Sequence, residues 1–218
     1  MTAQILLASN NAKKLAELRR VVEAAGITGL DVLGLADVTA YPEPVEDGAT
    51  FEDNALIKAR VACEVTGLPS LADDSGLAVD ALNGMPGVLS ARWSGGKGDA
   101  ANNDLLLAQL ADVPDTRRGA AFVSVCALVL PGGDEVVVRG EWRGTILRQP
   151  RGVGGFGYDP LFIPDDEAAA GRTSAELPAT EKDALSHRGK ALAQLVPALR
   201  ALASADAAGA PQTEGTHE

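Results

Sequence analysis

Short apolar runs alternate with polar turns and amphipathic stretches along the whole chain, the pattern of a mixed α/β protein. Gln4-Ile5-Leu6-Leu7-Ala8 is a continuous apolar run of strand length. Beyond the polar turn Ser9-Asn10-Asn11-Ala12-Lys13-Lys14, apolar residues recur at helical spacing through Leu15, Leu18, Val21, Val22 and Ala25. Gly26 is placed as the stop of that helix. Leu30 to Leu33 predicts a second strand, followed by the loop Tyr41-Pro42-Glu43-Pro44-Val45-Glu46-Asp47-Gly48. Thr50-Phe51-Glu52-Asp53 has the form of a capping box with aspartate in the glutamate position, so a helix is expected from Phe51 to Thr66. Ser70-Leu71-Ala72 then leads into Asp73-Asp74-Ser75-Gly76, and alternation resumes at Leu77, Val79 and Ala81. The acidic pair is therefore expected at a strand tip.

In the second half, Gly84-Met85-Pro86-Gly87 reads as a turn, and Val88 to Trp93 as a short extended segment carrying Arg92. Ser94 to Gly98 reads as a flexible loop with the makings of a lid, and Ala101 to Leu110 as a helix. Ala120 to Leu130 is a long alternating strand that Pro131-Gly132-Gly133-Asp134 turns back into Glu135 to Trp142, a hairpin. The last helix carries Leu192, Leu195, Val196, Leu199 and Leu202, with Pro197 inside it predicting a kink. One domain over 1–203 is expected, with a polar tail over 204–218 expected to be disordered.

Composition narrows the function classes. The 218 residues are 46% hydrophobic and carry a formal net charge of -11, which argues against binding nucleic acid polymers or acidic membranes. A small anionic ligand needs only a local group of donors. Cys63 and Cys126 lie in apolar segments without metal spacing and read as buried thiols in a reducing compartment. The N-terminus lacks the basic region of a signal peptide and no run reaches membrane-spanning length, so a cytoplasmic location is expected. With His217 in the tail, His187 is the one histidine left in the folded part, and a multi-histidine zinc site is ruled out.

Candidate chemistry sits at the turns. Two adjacent carboxylates repel, and a bound cation such as Mg2+ is the usual compensation; the plainer reading is an exposed acidic turn. A strand, a polar turn and a helix direct backbone N–H groups and the helix dipole at an anion, with Lys14 in the first turn. Simple capping by Ser9, Asn10 or Asn11 explains the same residues. Asn54 and Lys58 share a helix face, which by itself reads as a solvated face. Gly152-Val153-Gly154-Gly155-Phe156-Gly157 formally matches a dinucleotide fingerprint, but Tyr158-Asp159-Pro160 prevents a helix from following. A glycine-rich loop with one aromatic suits stacking of a flat base on Phe156, unless that ring is in the core. Lys182 and Ser186-His187-Arg188-Gly189 gather donors for an anion or a keto oxygen.

Six motifs in order resemble the inosine triphosphate pyrophosphatase family over Ile5 to Leu202. They are Ser9-Asn10-Asn11 with Lys14 and Glu17, Thr50-Phe51 with Asn54 and Lys58-Ala59, and Ala72 to Leu77. Pro86-Gly87-Val88 with Ser90-Ala91-Arg92, Gly155 to Pro160, and Lys182 with Ser186-His187-Arg188 complete them. The resemblance implies an elongated mixed β-sheet flanked by helices, with two lobes around a substrate cleft. It also implies a homodimer and Mg2+-dependent hydrolysis of ITP, dITP and XTP to monophosphate and pyrophosphate. By the same resemblance Ser9, Asn10, Asn11, Ala12, Lys13 and Lys14 would hold the triphosphate, and Asp74 would be catalytic. Glu46 and Asp74 would place the metal, and Ser75 would touch substrate. Phe156, Gly157, Tyr158, Asp159, Lys182, His187 and Arg188 would form the nucleotide pocket. Donors on His187 and Arg188 would match the 6-keto group of hypoxanthine and leave adenine's donor mismatched, which can discriminate on the order of 10^4-fold. The first motif departs from the Thr-Gly-Asn and Gly-Lys of many members.

Two other readings compete. A haloacid-dehalogenase-type phosphatase uses a strand-end aspartate but wants Asp-x-Asp, whereas Asp73 and Asp74 are adjacent. A non-catalytic nucleotide-binding module would use the same pocket without turnover.

Overall fold

The computed structural model describes residues 2–166 and 170–208. Its centre is a six-stranded sheet in the order β2-β1-β3-β4-β5-β6. Strands β1 (Ala3–Leu7) and β2 (Leu30–Leu33) run parallel to each other, and β1 is also parallel to β3 (Ser70–Val79). From β3 onward the pairing is antiparallel through β4 (Gly119–Val129), β5 (Glu135–Ile146) and β6 (Phe162–Pro164). The β4–β5 hairpin turns at the Pro-Gly-Gly-Asp segment, as expected from its turn residues. No helix among the described residues is long and apolar enough to cross a membrane.

Helix α1 (Ala12–Ala24) starts under a cap by Asn11, whose Oδ1 accepts from Lys13 N at 2.9 Å and Lys14 N at 3.4 Å. The expected span of α2 (Phe51–Thr66) holds to the residue. Thr50 Oγ1 accepts from Asp53 N at 3.1 Å while Thr50 N donates to Asp53 Oδ2 at 3.0 Å, and Gly67 closes the helix at φ 69°. Helices α3 (Asp99–Gln109), α4 (Ala179–Leu185) and α5 (His187–Ala208) complete the set. Pro197 lies within α5.

Strand alternation divides the core. On one face of the sheet, Leu71, Cys126 and Leu128 pack under α1 and α5. Further along the same face, Leu77, Val79, Phe122 and Trp142 pack with Leu106 and Leu110. Between these two apolar clusters lie the polar side chains of Asp73, Ser75 and Ser124, so the face is apolar at both ends and polar in the middle. On the opposite face Ala72, Val123, Val125 and Ala127 pack against Phe51, Ala55 and Ala59 of α2.

Three expectations are corrected. The acidic pair is not at a strand tip: β3 runs unbroken through Asp73 and Asp74, because antiparallel pairing to β4 carries it past the point where β1 ends. Val88 to Trp93 is not extended; Gly87–Arg92 form a 3-10 helix packed against β3. Nothing in the sequence points to β6 and α4, which are too short to show periodicity. The tail expected from Ser204 begins inside α5, and residues 209–218 lie outside the described residues.

Candidate active site

The site forms where the parallel part of the sheet stops. β1 pairs with β3 only through Leu7↔Leu71, after which the chain turns away at Ser9 into α1. Among the described residues no strand covers that edge of β3 between Leu71 and the isolated bridge Ala78↔Pro86. Asp73, Asp74 and Ser75 fall in this open stretch, and pleating sends consecutive side chains to opposite faces.

On the α1 side, Asp73 is buried, with 3% exposure. Lys14 Nζ lies 2.6 Å from its Oδ2, and the Arg188 guanidinium donates to the same oxygen through Nη1. Arg188 Nε in turn lies 2.7 Å from Glu17 Oε2, one turn beyond Lys14 on α1. Burial pushes the Asp73 carboxyl up, but Arg188 and Lys14 outweigh it and hold the pKa at about 2. Asp73 Oδ1 and Arg188 Nη2 are enclosed with no hydrogen-bond partner among the described residues. Ser75 Oγ lies 2.9 Å from Ser124 Oγ and 3.4 Å from Asp73 Oδ2.

On the α2 side, Asn54 Nδ2 donates to Asp74 Oδ2 at 3.1 Å, and Ser75 N donates to Asp74 Oδ1 at 3.1 Å. Asn54 is held for this role from behind, because its Oδ1 accepts from Gly48 N at 2.9 Å. That bond also brings the Glu46-bearing loop against α2. A side chain at Gly48 would place Cβ 2.5 Å from Asp53 Cβ, so glycine is needed for the close approach. Lys58 Nζ stands between two carboxylates, 3.2 Å from Glu46 Oε1 and 3.7 Å from Asp74 Oδ1. Burial raises the Asp74 pKa, with Glu46 adding to it, against Lys58 and Asn54. The solvated face expected for Asn54 and Lys58 is thus wrong: Asn54 is fully buried and both reach Asp74.

The remaining expected residues lie in the loop between β5 and β6, in α4 and α5, and in the turn into α1. Lys182 Nζ pairs with the buried Asp159, whose Oδ2 also accepts from Phe156 N at 2.8 Å and whose Oδ1 accepts from Ser174 Oγ at 2.9 Å. The Phe156 ring is not in the core; it is 72% exposed, with Lys182 Nζ 4.9 Å from its centroid. Tyr158 OH donates to Ser90 O at 2.9 Å. His187, the first residue of α5, stacks on Phe122 at 5.2 Å and 17°, and burial lowers its pKa to about 3, so its imidazole is neutral. Ser9 Oγ accepts from Asn11 N at 3.2 Å, and Asn10, Ala12 and Lys13 are exposed beside it. Cys63 and Cys126 are free and buried, and burial lifts the Cys126 thiol to about 12.

With this geometry, the profile of the Ham1 family matches residues 5–198. The chain belongs to the Ham1 family. It is 65% identical over 204 residues to a Corynebacterium efficiens protein named dITP/XTP pyrophosphatase, covering 92% of this chain and 99% of that one. A Nocardia farcinica protein of the same name is 67% identical over 202 residues, covering 92% and 97%. Among solved structures, a nucleoside-triphosphatase / dITP/XTP pyrophosphatase from Mycobacterium abscessus superposes with a TM-score of 0.77 at 64% identity, covering 90% of this chain and all of that one. A HAM1 protein from Coxiella burnetii gives a TM-score of 0.83 at 42% identity, covering 91% and 98%.

Within this Ham1-family chain, sequence reasoning passed over three groups that hold the site's surroundings. Asp99 and Asn103 of α3 bond the backbone of Gly157. The buried Arg118 donates to the carbonyls of Leu110, Ile146 and Leu147 at 2.6–2.8 Å. The i, i+4 spacing of Asp99 and Asn103 was a visible signal; Arg118 had none, since its partners are main-chain carbonyls distant in sequence.

Proposed function

We propose that this chain is a pyrophosphatase that hydrolyses dITP, ITP and XTP to the monophosphate and pyrophosphate with Mg2+. The observation that carries the reading is the meeting of two charge clusters at one open strand edge: Asp74 with Glu46 and Lys58, and Asp73 with Lys14 and Arg188. The names of the relatives at 65% and 67% identity support the substrate class.

The donor set fits a hard divalent cation. Glu46 and Asp74 already converge on one positive charge, the Lys58 ammonium. Among the described residues no group of three or more His, Cys, Asp or Glu side chains could hold a metal ion. Two carboxylates with phosphate and water completing the shell is the arrangement Mg2+ favours. When bound by Glu46 and Asp74, Mg2+ would neutralise phosphate charge and acidify a nearby water.

The chain's own residues do the rest. Lys14, only part-buried in its pair with Asp73, shares its ammonium with an incoming phosphate, and the Ser9–Lys14 turn offers backbone donors beside it. Asn54 turns Asp74 toward the reacting phosphorus, and Asp74 takes the proton of the attacking water. Burial raises its pKa in the metal-free chain, and Mg2+ bound beside it would pull the same group down. Phe156 stacks on the base, and His187 and Arg188 are the side chains assigned as donors to a 6-keto oxygen. The haloacid-dehalogenase alternative loses ground, because Asp73 and Asp74 face opposite ways and cannot act as a pair on one phosphate. One domain, a homodimer and a cytoplasmic setting belong to the same proposal; gel filtration at twice the 22.3 kDa chain mass tests the dimer.

Phosphorus NMR of ITP with the protein, with and without Mg2+ and with ATP in parallel, tests the reaction. IMP and pyrophosphate, formed only with Mg2+ and far more slowly from ATP, are expected. IDP with orthophosphate, or binding without turnover, would overturn the reading.

A further inference from the structure

The backbone beside Phe156 is gripped from α3. Gly157 N donates to Asp99 Oδ2 at 2.6 Å, and Gly157 O accepts from Asn103 Nδ2 at 3.0 Å. Asp99 and Asn103 are four residues apart, so they stand on one helix face and hold both polar groups of a single residue. Their helix is itself anchored. Asn102 Oδ1 accepts from Ser94 N and Ser94 Oγ at 2.7 Å, and its Nδ2 donates to Ala91 O at 3.2 Å. Near the C-terminal end of α3, Arg118 Nη1 donates to Leu110 O at 2.6 Å. On the other side of the loop, Asp159 holds Phe156 N and Lys182.

The ring carried by this clamped segment is the part left open. A large apolar side chain with 72% exposure gains little from packing, yet the backbone beside it is bonded at Phe156 N, Gly157 N and Gly157 O. A rigid backbone under an exposed ring lowers the ordering cost when a flat ligand stacks.

We propose that Asp99 and Asn103 are positioning residues that set the angle of the Phe156 ring for the purine base. The inference rests on the reading of Phe156 as the base-stacking residue. Neither residue touches the carboxylates at β3, so the effect falls on base binding and not on the hydrolytic step.

Steady-state kinetics with ITP and calorimetric titration with the product IMP test it, on Asp99→Ala, Asp99→Asn, Asn103→Ala and Phe156→Ala. Asp99→Ala and Asn103→Ala are expected to raise KM for ITP and Kd for IMP by about 5- to 30-fold, the loss of one or two hydrogen bonds, with kcat close to wild type. Asp99→Asn keeps an acceptor oxygen for Gly157 N and is expected to restore IMP affinity. Phe156→Ala should weaken IMP at least as much as either. Wild-type IMP affinity in Asp99→Ala and Asn103→Ala, alongside weakened binding in Phe156→Ala, would overturn the clamp and leave the stacking platform standing. Wild-type affinity in Phe156→Ala would remove the platform itself and the clamp with it. Asp99→Asn as weak as Asp99→Ala would also overturn the clamp, because charge and not the N–H acceptor would then be responsible. Asp99 is exposed, so its substitution is expected to leave the thermal midpoint near wild type.

Discussion

Asp73 and Asp74 are neighbours in β3 whose carboxylates serve opposite faces of the sheet. Asp73 is bonded by Lys14 at 2.6 Å and by Arg188, whereas Asp74 is bonded by Asn54 at 3.1 Å and lies 3.7 Å from Lys58. Two adjacent acids in sequence thus have different hydrogen-bonding partners. Lys14 and Arg188 pair with Asp73 while Lys58 is the cation beside Asp74, and the two pKa values move in opposite directions: Asp73 down to about 2, Asp74 up. One is held permanently ionised, and the other is left available to accept a proton.

Asp74→Asn should keep the fold, because the single amide oxygen can still accept from Ser75 N and the half-buried side chain loses only the bond from Asn54 Nδ2. Loss of the general base is expected to lower kcat by about 10^2- to 10^4-fold. Release of pyrophosphate from ITP, with circular dichroism to confirm folding, checks it; near-wild-type turnover would remove Asp74 from the chemistry.

Asp73→Asn should act first on stability. It leaves Arg188 and Lys14 facing a neutral group in a buried setting, at a cost of about 3–5 kcal/mol for a broken buried pair. The sign with pH follows from the lowered pKa. A carboxyl held at about 2 in the folded chain, against 3.8 ordinarily, contributes stability above the ordinary value and loses it as pH falls through about 2. The gap between wild type and variant in urea denaturation is therefore expected to narrow as acid is added below pH 3.8. A gap constant across that range would contradict the pairing.

His187 gives the opposite proton balance. Burial keeps its imidazole neutral, with Lys182 and Arg188 adding repulsion, and its pKa falls from 6.5 to about 3. Between those values the unfolded chain binds the proton and the folded chain does not. Stability accordingly falls as pH drops through that window, by on the order of 1 kcal/mol per pH unit. His187→Gln should flatten the pH dependence of the urea midpoint between neutral and mildly acid conditions; an unchanged slope would place the ring in solvent.

Lys58→Met removes the ammonium standing between Glu46 and Asp74. The nucleotide-free protein is expected to bind Mn2+ more tightly by on the order of 10-fold, since the two carboxylates lose their internal cation. Electron paramagnetic resonance of Mn2+ reads this without any turnover. Equal affinity in the variant would show that lysine and metal do not share the seat.

Much of this was legible before the fold. The capping box at Thr50 located α2, the Pro-Gly-Gly-Asp turn located the β4–β5 hairpin, and apolar periodicity located α1 and α5. These signals are local, carried within one or two turns of the chain. The errors came where long-range pairing decides. Asp73 and Asp74 looked like a strand end because their polarity interrupts an apolar run, but ten consecutive residue pairs with β4 hold the strand straight through them. Asn54 and Lys58 looked solvated because an Asn and a Lys on a helix usually are.

Chain order alone determined the longer helices and strands, the candidate residues and the family resemblance, since each depends on spacing along a single segment. Only the tertiary structure decided which charges meet. Lys14 and Asp73 are 59 residues apart and Arg188 and Asp73 are 115 apart, so their pairing follows from α1 and α5 packing on the same face of the sheet. The same holds for the exposure of Phe156 and its grip by Asp99 and Asn103, which bring together segments more than 50 residues distant. Pleating by two, acting on a strand whose neighbour stops at Leu71, is what sends one acidic motif to two faces of the sheet with different partners.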